Sequence, residues 1–235
     1  MVFNPTFTSN ILLPFSISDF SFMTSIMNPD SISGLVWDEY HWEGTIALPQ
    51  WEAFNKGTGP WKKIRAATWG RRRKREKRAD QFRFQYAPSD EPVQLTVDSP
   101  VRNQRAEPSA AQVRAYCFLL AHEAELLTAV LADFKKNWSR ILCIYDHSDE
   151  DPNRHSLPFN LRNPEELCGL IELHRVYVHD TDTDGIAHVG LALSCDWDTE
   201  HGLGVYTYQR QVLGIGSGEL AFGDLGDAFD FDEDE

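Results

Sequence analysis

The sequence predicts an α+β fold: an antiparallel β-sheet packed against one long central helix, with a short second helix. Three observations carry this. Stretches alternating apolar and polar residues occupy positions 42–97, one long stretch of helical periodicity runs from Ser109 to about Trp138, and alternating stretches return from Leu173 to Ile215. No internal repeat is visible.

The elements follow in chain order. Residues 1–34 read as a disordered leader, rich in Ser, Asn, Phe and Pro without a period, with Met23 and Met27 as alternative starts to Met1. Trp42, Gly44, Ile46 and Leu48 alternate with Glu43, Thr45 and Ala47, a strand period that Pro49 ends. Phe82, Phe84 and Tyr86 suggest a second strand, and Val93, Leu95 and Val97 a third. Pro108 and Ser109 open the long helix, and Gln112 completes a capping box with Ser109. An apolar stripe then recurs at Val113, Cys117, Leu120, Ala124, Leu127, Leu131, Phe134 and Trp138, leaving His122, Glu123 and Glu125 off the stripe. At ~1.5 Å per residue this helix would reach ~45 Å, long enough to bend. Asn163, Pro164 and Glu166 signal the short second helix. Four strands follow: around Leu173–Val178, Ile186–Leu193, Val205–Tyr208 and Gln211–Ile215, with Asp184-Gly185 as a hairpin turn between the first two. The expected domain is thus 35–222, with a basic insertion at about 56–81 and an acidic tail at 223–235.

Composition narrows the class. The 235 residues are 42% hydrophobic and 12% aromatic, ample material for a core. No uninterrupted apolar run approaches the ~20 residues that cross a bilayer, so no membrane association is expected. The net charge of −14 is segregated. Trp61–Arg83 holds 11 of the 22 basic residues and only Glu76 and Asp80 as acids, while Asp224, Asp227, Asp230, Asp232, Glu233, Asp234 and Glu235 crowd the end. That run is +9 and the rest of the chain −23. Cys117, Cys143, Cys168 and Cys195 form no C-x-x-C pair, and the first 30 residues have no basic n-region. Four reduced thiols in a cytoplasmic protein follow.

Four segments are candidates for chemistry. DTDTDG at 180–185 begins like a calcium loop with Asp180, Asp182 and Asp184, but position 12 is Leu191 instead of the bidentate Glu, and a hairpin turn accounts for the pattern. CDWDTEHGLG at 195–204 gathers Cys195, Asp198, Glu200 and His201. As an enzyme site, His201 would be a general base oriented by Asp198 or Glu200. As a metal site, His188, Cys195 and His201 would be mixed ligands at a spacing unlike zinc motifs. As structure, the same segment is a loop whose carboxylates cap backbone N–H groups. GIGSGELAF at 214–222 lacks the Lys-Ser/Thr of a phosphate loop, and no cofactor is expected. Arg71, Arg72, Arg73, Lys74 and Arg75, with Trp61 and Trp69 to stack on bases, are the nucleic-acid candidates; the surrounding −23 opposes a polyanion.

Three stretches together resemble a bacterial domain-of-unknown-function family. They are Trp42–Phe54 (W-x-G-x-I-x-L-P-x-W-x-x-F), Pro108–Gln112 (P-S-x-x-Q) and Cys195–Gly204 (C-x-W-D-x-E-H-G-L-G). The resemblance spans about residues 35–222 and implies one α+β domain with no established activity. The leading expectation is a non-enzymatic protein-interaction domain, immunity-like or accessory in character, with a basic protein partner. The alternatives are a hydrolase or metal-dependent enzyme at Asp198, Glu200 and His201, and nucleic-acid binding through residues 61–83.

Overall fold

The computed structural model describes residues 31–64, 66, 91–101, 104–145, 161–198 and 200–223. Residues 1–30 of the expected 1–34 leader, the strand expected at Phe82–Tyr86, the basic residues Arg71–Arg75 and most of the expected 223–235 tail lie outside the described residues, whereas Ile32 joins the core.

Seven strands form one sheet in chain order: β1 (Val36–Asp38), β2 (His41–Ile46), β3 (Val93–Asp98), β4 (Ile171–Thr183), β5 (Ile186–Cys195), β6 (Leu203–Tyr208) and β7 (Gln211–Ser217). The fold is α+β as expected, with one correction. Strands β3 and β4 pair in parallel while every other neighbouring pair is antiparallel. A parallel neighbour demands a crossover, and the long helix α2 (Ala110–Tyr145) lies between those two strands in sequence. The expected two-residue hairpin is present: Asp184 (φ 51) and Gly185 (φ 73) join β4 to β5 with the left-handed geometry of a type I′ turn.

The capping box at the start of α2 is formed. Ser109 N–H donates to Gln112 Oε1 (2.8 Å), and Gln112 N–H donates to Ser109 Oγ (3.2 Å). The fully buried Gln112 also donates from Nε2 to the carbonyls of Asp98 (2.8 Å) and Val178 (3.5 Å), tying the helix to the end of β3 and the middle of β4. His122 has non-helical backbone angles (φ −126°, ψ 20°) and breaks the helix into two segments. Of the expected stripe, Val113 is buried before the break and Leu127, Leu131, Phe134 and Trp138 are buried beyond it; Cys117 and Leu120 are half-buried, Ala124 just past the break is exposed, and Ala111, Ala115 and Leu119 are buried off the stripe. A strict 3.5-residue repeat drifts by ~20° per heptad around a straight helix, so the stripe cannot stay on one face over this length. Glu123, off the expected stripe, is buried.

By length and composition alone, Ala110–Leu142 is long and apolar enough to cross a membrane. Its stripe instead joins a core with Ile46, Leu95, Val176, Leu191 and Val205 from the sheet.

Two helical expectations change. Pro49, read as a strand stop, is the first residue of helix α1 (Pro49–Lys56), which ends at Gly57 in the left-handed region (φ 58). The helix expected at Pro164 is a single 3-10 turn, Pro164–Leu167, in which Asn163 makes no side-chain cap bond. The short second helix is therefore α1. It buries Trp51, Phe54 and Asn55; the Asn55 amide donates to the Leu173 carbonyl (2.8 Å) and accepts from Leu173 N–H (3.1 Å), where a register shift interrupts the β4–β5 ladder.

Among the described residues, the second sheet face, opposite α2, is covered at one end. After β7 a 3-10 turn, Gly218–Ala221, folds back over β5 and β6. Gly190 and Gly204 make room for it: a Cβ at Gly190 would fall inside the Ala221 carbonyl, and one at Gly204 would stand 2.7 Å from Ala221 N. Gly202, Gly204 and Gly218 thus serve close backbone packing.

Candidate functional site

Local hydrogen bonds centred on Asp198 hold the loop that follows β5. Asp198 Oδ1 accepts from the backbone N–H groups of Glu200 (3.2 Å) and His201 (3.0 Å), and both carboxylate oxygens lie 3.2 Å from His201 Nδ1. The Asp198 carbonyl accepts from Gly202 N–H (3.2 Å) and the Cys195 thiol (3.3 Å). Trp197 is buried, edge-on to Trp138 at 5.7 Å. Burial pushes the Cys195 thiol up to about 12, so it stays protonated and is neither a ready nucleophile nor a ready metal ligand. Of the enzyme candidates, Asp198 and His201 come together; Glu200 is exposed beside them and contributes its N–H to the turn.

The metal candidates are spread along two strands. Asp180 and Asp182 lie on β4 and Asp184 in the turn, where Asp182 Oδ1 accepts from Gly185 N–H (3.0 Å). His188 and Cys195 are seven positions apart on β5, about 23 Å of extended chain. His188 instead sits 2.9 Å from Thr183 Oγ1 and 3.3 Å from the Tyr206 hydroxyl, and burial holds its pKa below the usual histidine value. Of the aromatics proposed to stack on bases, Trp61 packs edge-on against Phe54 (5.0 Å), half-buried at the margin of the core. Trp69 lies outside the described residues.

A further polar constellation, which the motif reading did not single out, lies on the second sheet face. Register places His41, Asp98 and Asp38 in one row, and Glu43, Thr96 and Tyr177 in the next. Arg175 Nη1 donates to Glu43 Oε1 (3.1 Å) and Thr96 Oγ1 (3.3 Å), and its guanidinium lies 5.9 Å from the centre of the Tyr177 ring. His41 Nε2 is 3.2 Å from the same Glu43 oxygen. Further along, the buried His179 lies 3.3 Å from Asp98 Oδ2 through Nδ1, donates from Nε2 to the Ala221 carbonyl (3.1 Å), and stacks on Tyr206 at 4.8 Å. The His188 ring stands edge-on to Tyr206.

A signal for this face was present in the sequence. His41-x-Glu43, Gln94-x-Thr96-x-Asp98 and Arg175-x-Tyr177-x-His179 alternate polar residues with the same period as the apolar ones. Reading strands for their apolar positions alone passes over it.

The face divides in two. At the β5–β6 end it lies under Gly218–Ala221, with Phe222 against Tyr177 at 5.7 Å. At the β1–β4 end Asp38 is exposed, and the side chains of His41, Glu43, Asp98 and Arg175 keep about a third of their surface in solvent. Arg175 is the single Lys or Arg on β1–β4.

No curated protein and no solved structure matches the chain. A family model does match, over residues 65–222, which is more than half of the sequence and includes Pro108–Gln112 and Cys195–Gly204, though not Trp42–Phe54. The chain belongs to the family described as Domain of unknown function (DUF6985).

Proposed function

We propose that this chain is a non-enzymatic, cytoplasmic protein-interaction domain, and that it engages a basic protein through the open β1–β4 half of the second sheet face. The observation that carries this reading is the charge of that half. Asp38, Glu43 and Asp98 stand there against one guanidinium, Arg175, in a chain of net charge −14. An acidic face with little basic compensation favours approach and orientation of a basic surface, more strongly at low salt. The enzyme reading at Asp198, Glu200 and His201 draws less support, because the Asp198 carboxylate is engaged by two backbone N–H groups and the neighbouring thiol is held neutral.

The full chain, immobilised in native lysate, is expected to retain a basic protein that rebinds after purification. Glu43→Lys combined with Asp98→Lys should abolish rebinding, and His201→Ala should leave it intact. Retention of no protein, or rebinding indifferent to the face variant, overturns the proposal. Loss in His201→Ala would transfer the role to the 195–202 turn, and salt-dependent retention of DNA that Arg71–Arg75 neutralisation removes would favour nucleic acid.

A further inference from the structure

We propose that Asp38, His41 and Glu43 form a binding site for a divalent transition ion of the zinc class. The three residues sit on the hairpin of β1 and β2. Asp38 stands directly opposite His41 in the ladder, and Glu43 lies two positions further along β2, so all three share the second sheet face. The turn between the strands is as short as a hairpin allows: Tyr40 N–H donates to the Asp38 carbonyl, and Glu39 takes a left-handed conformation (φ 41). One ligand atom from each of the three residues lies within 4.8 Å of the other two.

The donor set selects the ion. One imidazole nitrogen and two carboxylate oxygens suit zinc and its first-row neighbours; calcium and magnesium take oxygen ligands, and thiolate-loving ions find no sulfur here. Donor atoms about 2.1 Å from a tetrahedral ion stand about 3.4 Å apart. His41 Nε2 and Glu43 Oε1 are already 3.2 Å apart. Arg175 acts as a positioning residue, holding Glu43 Oε1 at 3.1 Å while braced on Thr96. Its positive charge opposes a cation, but two carboxylates outweigh one guanidinium, and the balance remains attractive. Three protein ligands leave coordination positions open, as in zinc sites that accept a water or an outside donor.

Among the described residues this is the one trio of His, Cys, Asp or Glu side chains that meets so closely. It lies outside the stretch matched by the family model, and it uses Asp38 and Glu43, so an ion and a basic partner would compete for the same carboxylates.

The test uses the tag-free full chain, stripped with chelator and titrated with zinc chloride by calorimetry, then with cobalt chloride by visible absorption. One equivalent is expected to bind. His41→Ala should weaken that binding by about 100-fold or more, since it removes one of three ligands. Glu43→Gln should weaken it as well, and His201→Ala should not. Near-ultraviolet dichroism of Trp37 and Trp42, which pack edge-on at 5.4 Å on the same hairpin, reports whether each variant is folded. No stoichiometric binding, binding unchanged in folded His41→Ala and Glu43→Gln, or binding lost in His201→Ala overturns the proposal.

Discussion

The two ends of the second sheet face are built from the same alternation and finished in opposite ways. At the β5–β6 end, Gly190 and Gly204 bring strand backbone against the closing turn, and the polar residues that meet its edge, His188 of β5 and His179 of the adjoining β4, are nearly dry. At the β1–β4 end, the same rows carry Glu43 and Arg175, which pair with each other over the buried Thr96 and keep their outer surfaces in solvent. Covered sheet is marked by residues that give up their side chains; open sheet is marked by residues that pair theirs. The contrast sets a packed half beside a solvated half within one face.

Breaking the covered end should cost most. Gly190→Ala sets a methyl inside the Ala221 carbonyl, and the turn or the sheet must move. A loss of about 3 kcal/mol is expected in urea unfolding, while the Asp38–Glu43 hairpin keeps its dichroism.

The joint between the two ends comes next. Gln112 bonds the carbonyls of Asp98 and Val178 at the parallel pair as well as capping α2. Gln112→Leu should lose about 2 kcal/mol, because it removes half the capping box and strands two carbonyl groups.

A third test lies away from this face, at the break in α2. Glu123, buried beside that break, accepts from Gln50 N–H at the start of α1. Burial is the main cause that lifts its pKa from 4.5 to about 7, with Glu52 adding to the rise and the Gln50 bond opposing it. The folded state therefore holds this proton more tightly than the unfolded chain. Its contribution is full below pH 4.5 and is lost as pH rises through about 7. Between those limits up to about 3 kcal/mol should disappear, and Glu123→Gln should flatten that part of the stability profile. A stability profile in Glu123→Gln that keeps the full decline would place the titrating group elsewhere.

The smallest stability effect is expected at the open end. Arg175→Ala removes an ion pair that is partly solvated on both sides and should cost less than about 1 kcal/mol. A larger loss would mean that the open half is structural after all and would remove the contrast between the two ends.

Much of the architecture was legible in the residues because it is local. Ser109 and Gln112 find each other three positions apart, Asp184-Gly185 closes a hairpin by its own backbone preferences, and the alternation of β5 declares its strand. The reading failed where a short signal admits two outcomes. Pro49 stops a strand and starts a helix with the same ring, and Asn163-Pro164 supports one 3-10 turn as readily as the first turn of a helix. For the 195–204 cluster, sequence supplied the candidates, but the hydrogen bonds that occupy Asp198 depend on the fold of the turn.

The sequence by itself determined the α+β class, the long capped helix and the tight β4–β5 turn, because each rests on contacts between residues near in sequence. Only the tertiary structure decided that β3 and β4 run parallel, that Glu123 is buried, and that Glu43 meets Arg175 across 132 positions. Those outcomes follow from which surfaces the crossover helix and the closing turn cover, and no local pattern encodes what will lie on top of it.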